Sequence, residues 1–282
     1  MIENVSDTAR WVAVYRAMET ERPDAHFRDP WARRLAGERG EAIVRAMPKG
    51  RSMAWPMIVR TQVFDEVILD CVRSRGADLV LNLAAGLDTR AWRLDLPPEL
   101  RWVDVDLPGI TEYKRGMMEG ETPRCRYEAV SADLSDAVQR AGVFARVAEG
   151  ARQALVVTEG LLVYLSADEV AALASALHEQ PAFRWWLTDL GSPALMKWMQ
   201  KSWGKQVKAG NAPFKFAPEE GSGFFARYGW REAWWSGTFD DALRLKRHMR
   251  LAWLWAFLAR ISSERRREEF RRFSINLLLE RT

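Results

Sequence analysis

Short apolar runs, each followed by a helix-length polar stretch, fill the middle of the chain. Leu79-Val80-Leu81-Asn82-Leu83-Ala84 is nearly continuous rather than alternating, as a parallel strand covered on both faces would be. Comparable runs follow at Arg101–Val105, Tyr127–Ser131, Ala154–Thr158 and Phe183–Thr188. Strand–helix alternation of this kind predicts an α/β fold with a mostly parallel sheet. Ser166, with Glu169 at the capping-box position, predicts a helix running to about His178. Arg231–Trp235 and Phe273–Leu279 read as two last strands, an antiparallel pair.

Helical spacing dominates upstream of the first run. Ala9, Val12, Ala13 and Met18 predict a helix over Ser6–Glu19, which a turn at Arg22-Pro23-Asp24 ends. A second helix starts in Phe27-Arg28-Asp29-Pro30-Trp31, and a third spans Met53 to Val72. These segments predict a helical cap over residues 1–76, ahead of a nucleoside-binding core over 77–190. Residues 191–222 form an insertion after the fifth strand, and 223–282 complete the sheet. With neither a Gly/Ser linker nor an internal repeat, 1–282 reads as a single domain. The insertion mixes lysines with Trp198, Met199, Trp203, Phe214 and Phe216, and its position suits a substrate wall. Leu251–Ala259 is too short to span a bilayer, for which roughly 20 residues are needed. A buried helix is expected there, with an interfacial helix beside Arg244, Lys246, Arg247 and Arg250 as the alternative. Arg265–Glu269 reads as a solvated helix face.

Composition narrows the partners more than the fold. The net charge is only +4, from 42 basic and 38 acidic residues interspersed along the chain, which disfavours nucleic acid despite a pI near 9.2. Cys71 and Cys125 lack metal-ligand spacing and fit a reducing compartment. The polar, acidic start reads as no signal peptide, so a cytoplasmic protein without a membrane partner or a metal is expected.

The candidate chemistry lies where the first run turns. Gly86 follows the run, Asp88 and Thr89 can start a helix, and Asp106 closes the second run about 20 residues on. That is the spacing between a glycine turn and a ribose-binding acid. A dinucleotide would want glycines where Ala84 and Thr89 stand. The substitution favours S-adenosylmethionine, which has a ribose but no phosphate. An NAD-type oxidoreductase and a non-catalytic nucleoside-binding module stay open as alternatives.

Several motifs occur together in a fixed order. Asn82–Arg90, Asp104-Val105-Asp106-Leu107-Pro108, Ala132-Asp133-Leu134 and Thr158-Glu159-Gly160-Leu161-Leu162-Val163-Tyr164-Leu165 resemble the leucine carboxyl methyltransferase family. They resemble most its bacterial branch of S-adenosylmethionine-dependent methyltransferases, which includes the tetracenomycin-type polyketide carboxyl methyltransferase. Ser6–Ala9, Arg28–Trp31 and Leu277–Arg281 fit as well. The resemblance implies a class I, Rossmann-like methyltransferase sheet of seven strands with the last antiparallel. It also implies cofactor contacts at Arg10, Arg60, Ala84, Gly86, Asp106, Asp133, Leu134 and Glu159. Arg10 and Arg60 would meet the methionine carboxylate, Arg10 from a lid-like first helix. Asp106 would take the ribose, Asp133 and Leu134 the adenine, and Glu159 the cationic end. Ala84 replaces the family's glycine, which is harmless only if its φ is negative.

The expected activity is O-methyl transfer to a small-molecule carboxylic acid, with a hydroxyl acceptor as the alternative. A carboxylate is ionised at neutral pH and needs no general base, and the three histidines, His26, His178 and His248, fall in none of these motifs. No catalytic residue is assigned, because positioning would do the work. Tyr164, Trp203 and Phe214 are the candidate acceptor contacts.

Overall fold

The computed structural model describes residues 6–47, 50–209 and 213–282; the side chains of Ser6 and of 203–209 lie outside that description. Three helices precede the sheet: α1 (Ser6–Thr20), α2 (Ala32–Ala46) and α3 (Trp55–Arg73). Residues 27–31 form a turn rather than the start of α2, and Asp29 there takes an ion pair from Arg16 at 2.8 Å. The alternating section follows: β1 (Leu79–Leu83), α4 (Arg90–Arg93), β2 (Arg101–Asp106), α5 (Pro108–Met117), β3 (Arg126–Ser131), α6 (Ala137–Ala148), β4 (Ala154–Thr158), α7 (Ala167–His178) and β5 (Phe183–Gly191). The remainder comprises α8 (Pro193–Ala209), β6 (Trp230–Gly237), α9 (Thr238–Arg244), α10 (Ala252–Ile261), α11 (Glu264–Arg271) and β7 (Ser274–Arg281).

The strands form one seven-stranded sheet in the order β3-β2-β1-β4-β5-β7-β6. β1 to β5 pair in parallel, and β7 inserts antiparallel between β5 and β6. Strand polarity alternates the core cleanly. Val80, Trp102, Leu155, Val157 and Leu187 join the helices α1 to α3 on one face of the sheet. Leu79, Leu81, Val103, Val156 and Trp186 face α6 and α7 on the other. Both faces are covered, which is why the strands read as unbroken apolar runs. The order reverses beside β1, and such a switch point leaves a crevice at the carboxyl ends of the strands.

Two local expectations change. β5 continues past Thr188 to Gly191, which carries Asp189 into the sheet. The apolar run at 251–261 forms a helix as expected, but one whose large apolar side chains are exposed rather than buried: only Ala252 of α10 is buried. The capping box of α7 forms as read, with Ser166 Oγ accepting from the Glu169 N–H at 3.2 Å and Glu169 accepting from the Ser166 N–H at 2.6 Å.

Candidate active site

A cavity of about 910 Å³ opens at the carboxyl ends of β1, β2, β4 and β5. Its volume is that of a small-molecule site, roughly 300–1,000 Å³. Thr8, Ala9 and Val12 of α1 lie along one side, and Met199 of α8 with Phe214 and Phe216 along another. α1 is not a separable lid, because Ala13, Val14 and Tyr15 on its other side are fully buried in the core.

The turn after β1 is tight and left-handed. Ala84 has φ 51° and Gly86 φ 53°. The condition that would have made Ala84 harmless therefore fails: an alanine holds a conformation that costs a non-glycine residue about 1–2 kcal/mol. At Gly86 the reason for glycine is also steric, since a Cβ would sit 3.0 Å from that of Ala9. The Gly86 N–H donates to Asp106 Oδ2 at 2.6 Å, and the Leu107 N–H donates to Oδ1 at 2.8 Å. Each carboxylate oxygen keeps lone pairs for another donor. Burial raises the Asp106 carboxyl above its ordinary range, only partly offset by those two N–H groups.

Below this turn, Asn82 and Asp104 point to the same side of the sheet and are joined at 3.0 Å. Asp104 also accepts from Lys114 Nζ (2.5 Å), Tyr127 Oη (2.9 Å) and Trp102 Nε1 (2.8 Å), so β1, β2, β3 and α5 are braced together under the turn.

The opposite end of the cavity holds a chain of buried ion pairs. Arg60 of α3 donates through Nε to Glu159 at 3.0 Å and through Nη1 to Asp189 at 3.2 Å. Arg90 meets Glu159 (2.7 Å), Asp88 (2.7 Å) and Asp65 (2.6 Å), and Arg93 meets Asp65 at 2.5 Å. Burial alone would raise the Glu159 carboxyl, but Arg90 and Arg60 outweigh it and hold it below its ordinary range. Asp189 also accepts the Gly160 N–H at 2.5 Å. Gly160 has φ 67°, and a Cβ there would lie 3.1 Å from the Arg60 guanidinium. Arg60 keeps three further N–H donors beyond these two acids. Sequence reasoning missed Asp189, Arg90 and Asp65; an acid within the apolar fifth strand was the available signal.

The other expected residues separate. Arg10 does not line the cavity; its guanidinium lies 3.8 Å above the Tyr113 ring. The basic residue of α1 that does line it is Arg16, held by Asp29 and donating to the Leu87 carbonyl at 2.5 Å. Asp133 and Leu134 line the far edge, where Asp133 accepts from Ser135 N–H (2.9 Å) and Oγ–H (2.7 Å) in a local turn. Tyr164 lines the cavity and stacks on Phe214 at 5.7 Å, and burial pushes its hydroxyl up to about 12. The side chain of Trp203 lies outside the described residues. No group of three or more His, Cys, Asp or Glu suited to a metal occurs among the described residues.

The sequence profile of the leucine carboxyl methyltransferase family matches residues 9–178, from α1 through α7. That span holds the ends of β1, β2 and β4 at the cavity, and β5 lies beyond it. The chain belongs to the leucine carboxyl methyltransferase family. It is an S-adenosylmethionine-dependent methyltransferase, and the oxidoreductase and purely binding alternatives fall with that assignment. A candidate methyltransferase of this class from Streptomyces coelicolor is 32% identical over 245 residues, 79% of this chain and 82% of that protein. One from Parafrankia is 38% identical over 183 residues; that match covers 60% of this chain and 57% of the Parafrankia protein, just over half its length. The fold matches a methyltransferase-like structure from Thermobifida fusca with a TM-score of 0.62, covering 99% of this chain and 95% of that one at 15% identity. A Streptomyces avermitilis structure of the duf574 family gives 0.60 at 14% identity, covering 98% and 97%.

At the mouth of the cavity a Cβ on Gly86 would crowd Ala9, each Asp106 oxygen keeps lone pairs beyond its backbone donor, and Arg60 retains N–H donors beyond its two acids. Four acids meet three arginines where the ion pairs cluster: Asp65, Asp88, Glu159 and Asp189 against Arg60, Arg90 and Arg93.

Proposed function

We propose that this methyltransferase esterifies a carboxylate of a small, largely apolar molecule. The observation that carries the reading is the lack of a base tuned to neutral pH on the acceptor side among the described residues. Tyr164 keeps its proton to about pH 12. Glu159 and Asp189 are engaged by Arg60. The histidines are elsewhere: His26 Nε2 bonds the Leu245 carbonyl at 2.6 Å, His178 packs against Trp230, and His248 is exposed. A carboxylate needs no proton removed before it attacks a methyl group, whereas a phenol or alcohol does. The wall made by Tyr164, Phe214, Phe216 and Met199 suits an apolar acceptor body.

In this reading S-adenosylmethionine supplies the electrophilic methyl group. Asp106 accepts the ribose hydroxyls through the lone pairs left by Gly86 and Leu107. Arg60 holds the methionine carboxylate with its remaining donors, while Glu159 offsets the positive amino and sulfonium groups. Ala84 and Gly86 let backbone approach the nucleoside, and Asp133 with Leu134 forms the adenine edge. Arg10 is left without a cofactor role, its place on α1 taken by Arg16. The residues then act by orientation and exclusion of water, a contribution that can reach several kcal/mol of the barrier.

The test is transfer of a radiolabelled methyl group across a panel of carboxylic acids and their phenol counterparts. Carboxylic acids are expected to be labelled, with a rate flat from neutral to mildly alkaline pH. Single His26→Gln, His178→Gln and His248→Gln variants should keep turnover within about tenfold, below the 10²–10⁴ of a general base. Labelling confined to phenols, or one histidine variant losing more than about a hundredfold in kcat, would overturn the carboxylate assignment.

A further inference from the structure

The surface of α10 is unlike any other in the described chain. Of the ten large apolar residues that are exposed, seven lie between Leu251 and Ile261. Trp253 is 67% exposed, Phe257 56% and Ile261 66%, and Trp255 and Leu258 project as well. At about 100° per residue the seven spread over roughly 200° of the helix, while the buried Ala252 and half-buried Ala256 and Ala259 share the remaining side. An apolar face this broad is normally covered, so the cover of this one lies outside the fold.

Charge identifies the cover. Arg250 and Arg260 bracket the helix, and Arg266 and Arg267 follow on α11 after the link Ser262-Ser263. All four arginines are exposed and have no acidic partner among the described residues. Glu264 is the only acid between Lys246 and Arg267. A second copy seated on α10 about a two-fold axis would bring these arginines against their own equivalents, and like charges across an interface oppose it. An anionic lipid surface meets both features at once. Trp253 and Trp255 match the boundary between acyl chains and headgroups, and the arginines match lipid phosphates. Ten helical residues span about 15 Å, half a hydrocarbon core, so the helix can lie in the boundary and cannot cross it.

We propose that α10, flanked by the arginines of α11, docks the methyltransferase on an anionic membrane surface. This reverses the expectation of no membrane partner, and it is independent of the acceptor assignment. The experiment is flotation of the full chain with phosphatidylcholine vesicles, with and without phosphatidylglycerol, at low and high salt. A lipid-free sedimentation run gives the oligomeric state. Binding is expected only with phosphatidylglycerol and should weaken with salt. A Trp253→Ser/Trp255→Ser/Phe257→Ser variant should lose vesicle binding at least tenfold, and Arg266→Gln/Arg267→Gln roughly tenfold. Both variants change only exposed side chains, so an unchanged thermal melt and unchanged cofactor binding confirm that they are folded. Absence of flotation with anionic vesicles overturns the proposal. So does flotation that the aromatic variant leaves intact, or a lipid-free dimer that the same variant dissociates.

Discussion

Ala84 and Asp106 both line the cavity at the turn after β1, and each carries a cost that the sequence alone does not reveal. The left-handed backbone at Ala84 costs about 1–2 kcal/mol, and the added chain entropy of glycine about 0.5–1. Ala84→Gly should therefore raise the unfolding free energy by a few tenths to about 1 kcal/mol, read from urea denaturation. A loss of stability would mean that the alanine methyl packs better than its backbone is strained. Burial raises the Asp106 carboxyl above its ordinary range, so its ionisation opposes folding rather than supporting it. Asp106→Ala is expected to leave the melt near that of the parent and to abolish measurable binding of S-adenosylhomocysteine. Two charge-assisted bonds at roughly 1.5–3 kcal/mol each would be gone. Calorimetry showing unchanged affinity would remove this acid from the cofactor site.

At the scale of elements, α8 and the irregular segment around Phe214 and Phe216 supply the apolar wall and do so partly as core. Phe214 belongs to the same buried cluster as α1 to α3, whereas Phe216 packs edge-on against Phe224 at 5.0 Å in the cluster on the other face. The Gln200 side chain ties α8 to the Phe214 carbonyl at 3.2 Å. Truncating Phe214 to alanine would cost about 3–5 kcal/mol of packing and confuse stability with function. Phe214→Leu keeps most of the volume and removes the stack on Tyr164. It should raise the acceptor KM several-fold while cofactor affinity is unchanged, which steady-state kinetics and calorimetry separate. An unchanged KM would place the acceptor away from this wall. α1 plays a double part of the same kind, which is why removing it would dismantle the core rather than open a lid.

The whole molecule is stitched at the cavity by charges from α3, the turn after β1, β4 and β5. Glu159 joins Arg60 to Arg90, and its folded carboxyl lies below the ordinary 4.5 because those arginines outweigh its burial. The sign follows: its stabilisation is present above about pH 4.5 and is lost as pH falls through the lower folded value. Glu159→Gln should destabilise by about 3 kcal/mol at neutral pH, the cost of breaking a buried pair. The gap to the parent should narrow near pH 4, when urea unfolding is measured at both. A gap independent of pH would show that shape, not charge, is what Glu159 supplies.

The sequence by itself determined the parallel sheet and the tight turn after β1 that Asp106 closes, because unbroken apolar runs and the Gly86–Asp106 spacing are local signals set by backbone geometry and burial. It also placed Arg60 and Glu159 on the correct elements. Tertiary structure decided which charges meet: Asp189 and Asp65 become site residues only when β5 and α3 are brought beside β4 and the turn after β1. It turned Arg10 onto Tyr113 and Arg16 toward the cavity, since two residues six apart on a helix face different sides. It also left α10 uncovered, which no local pattern could reveal, because an apolar run reads the same whether the fold covers it or not.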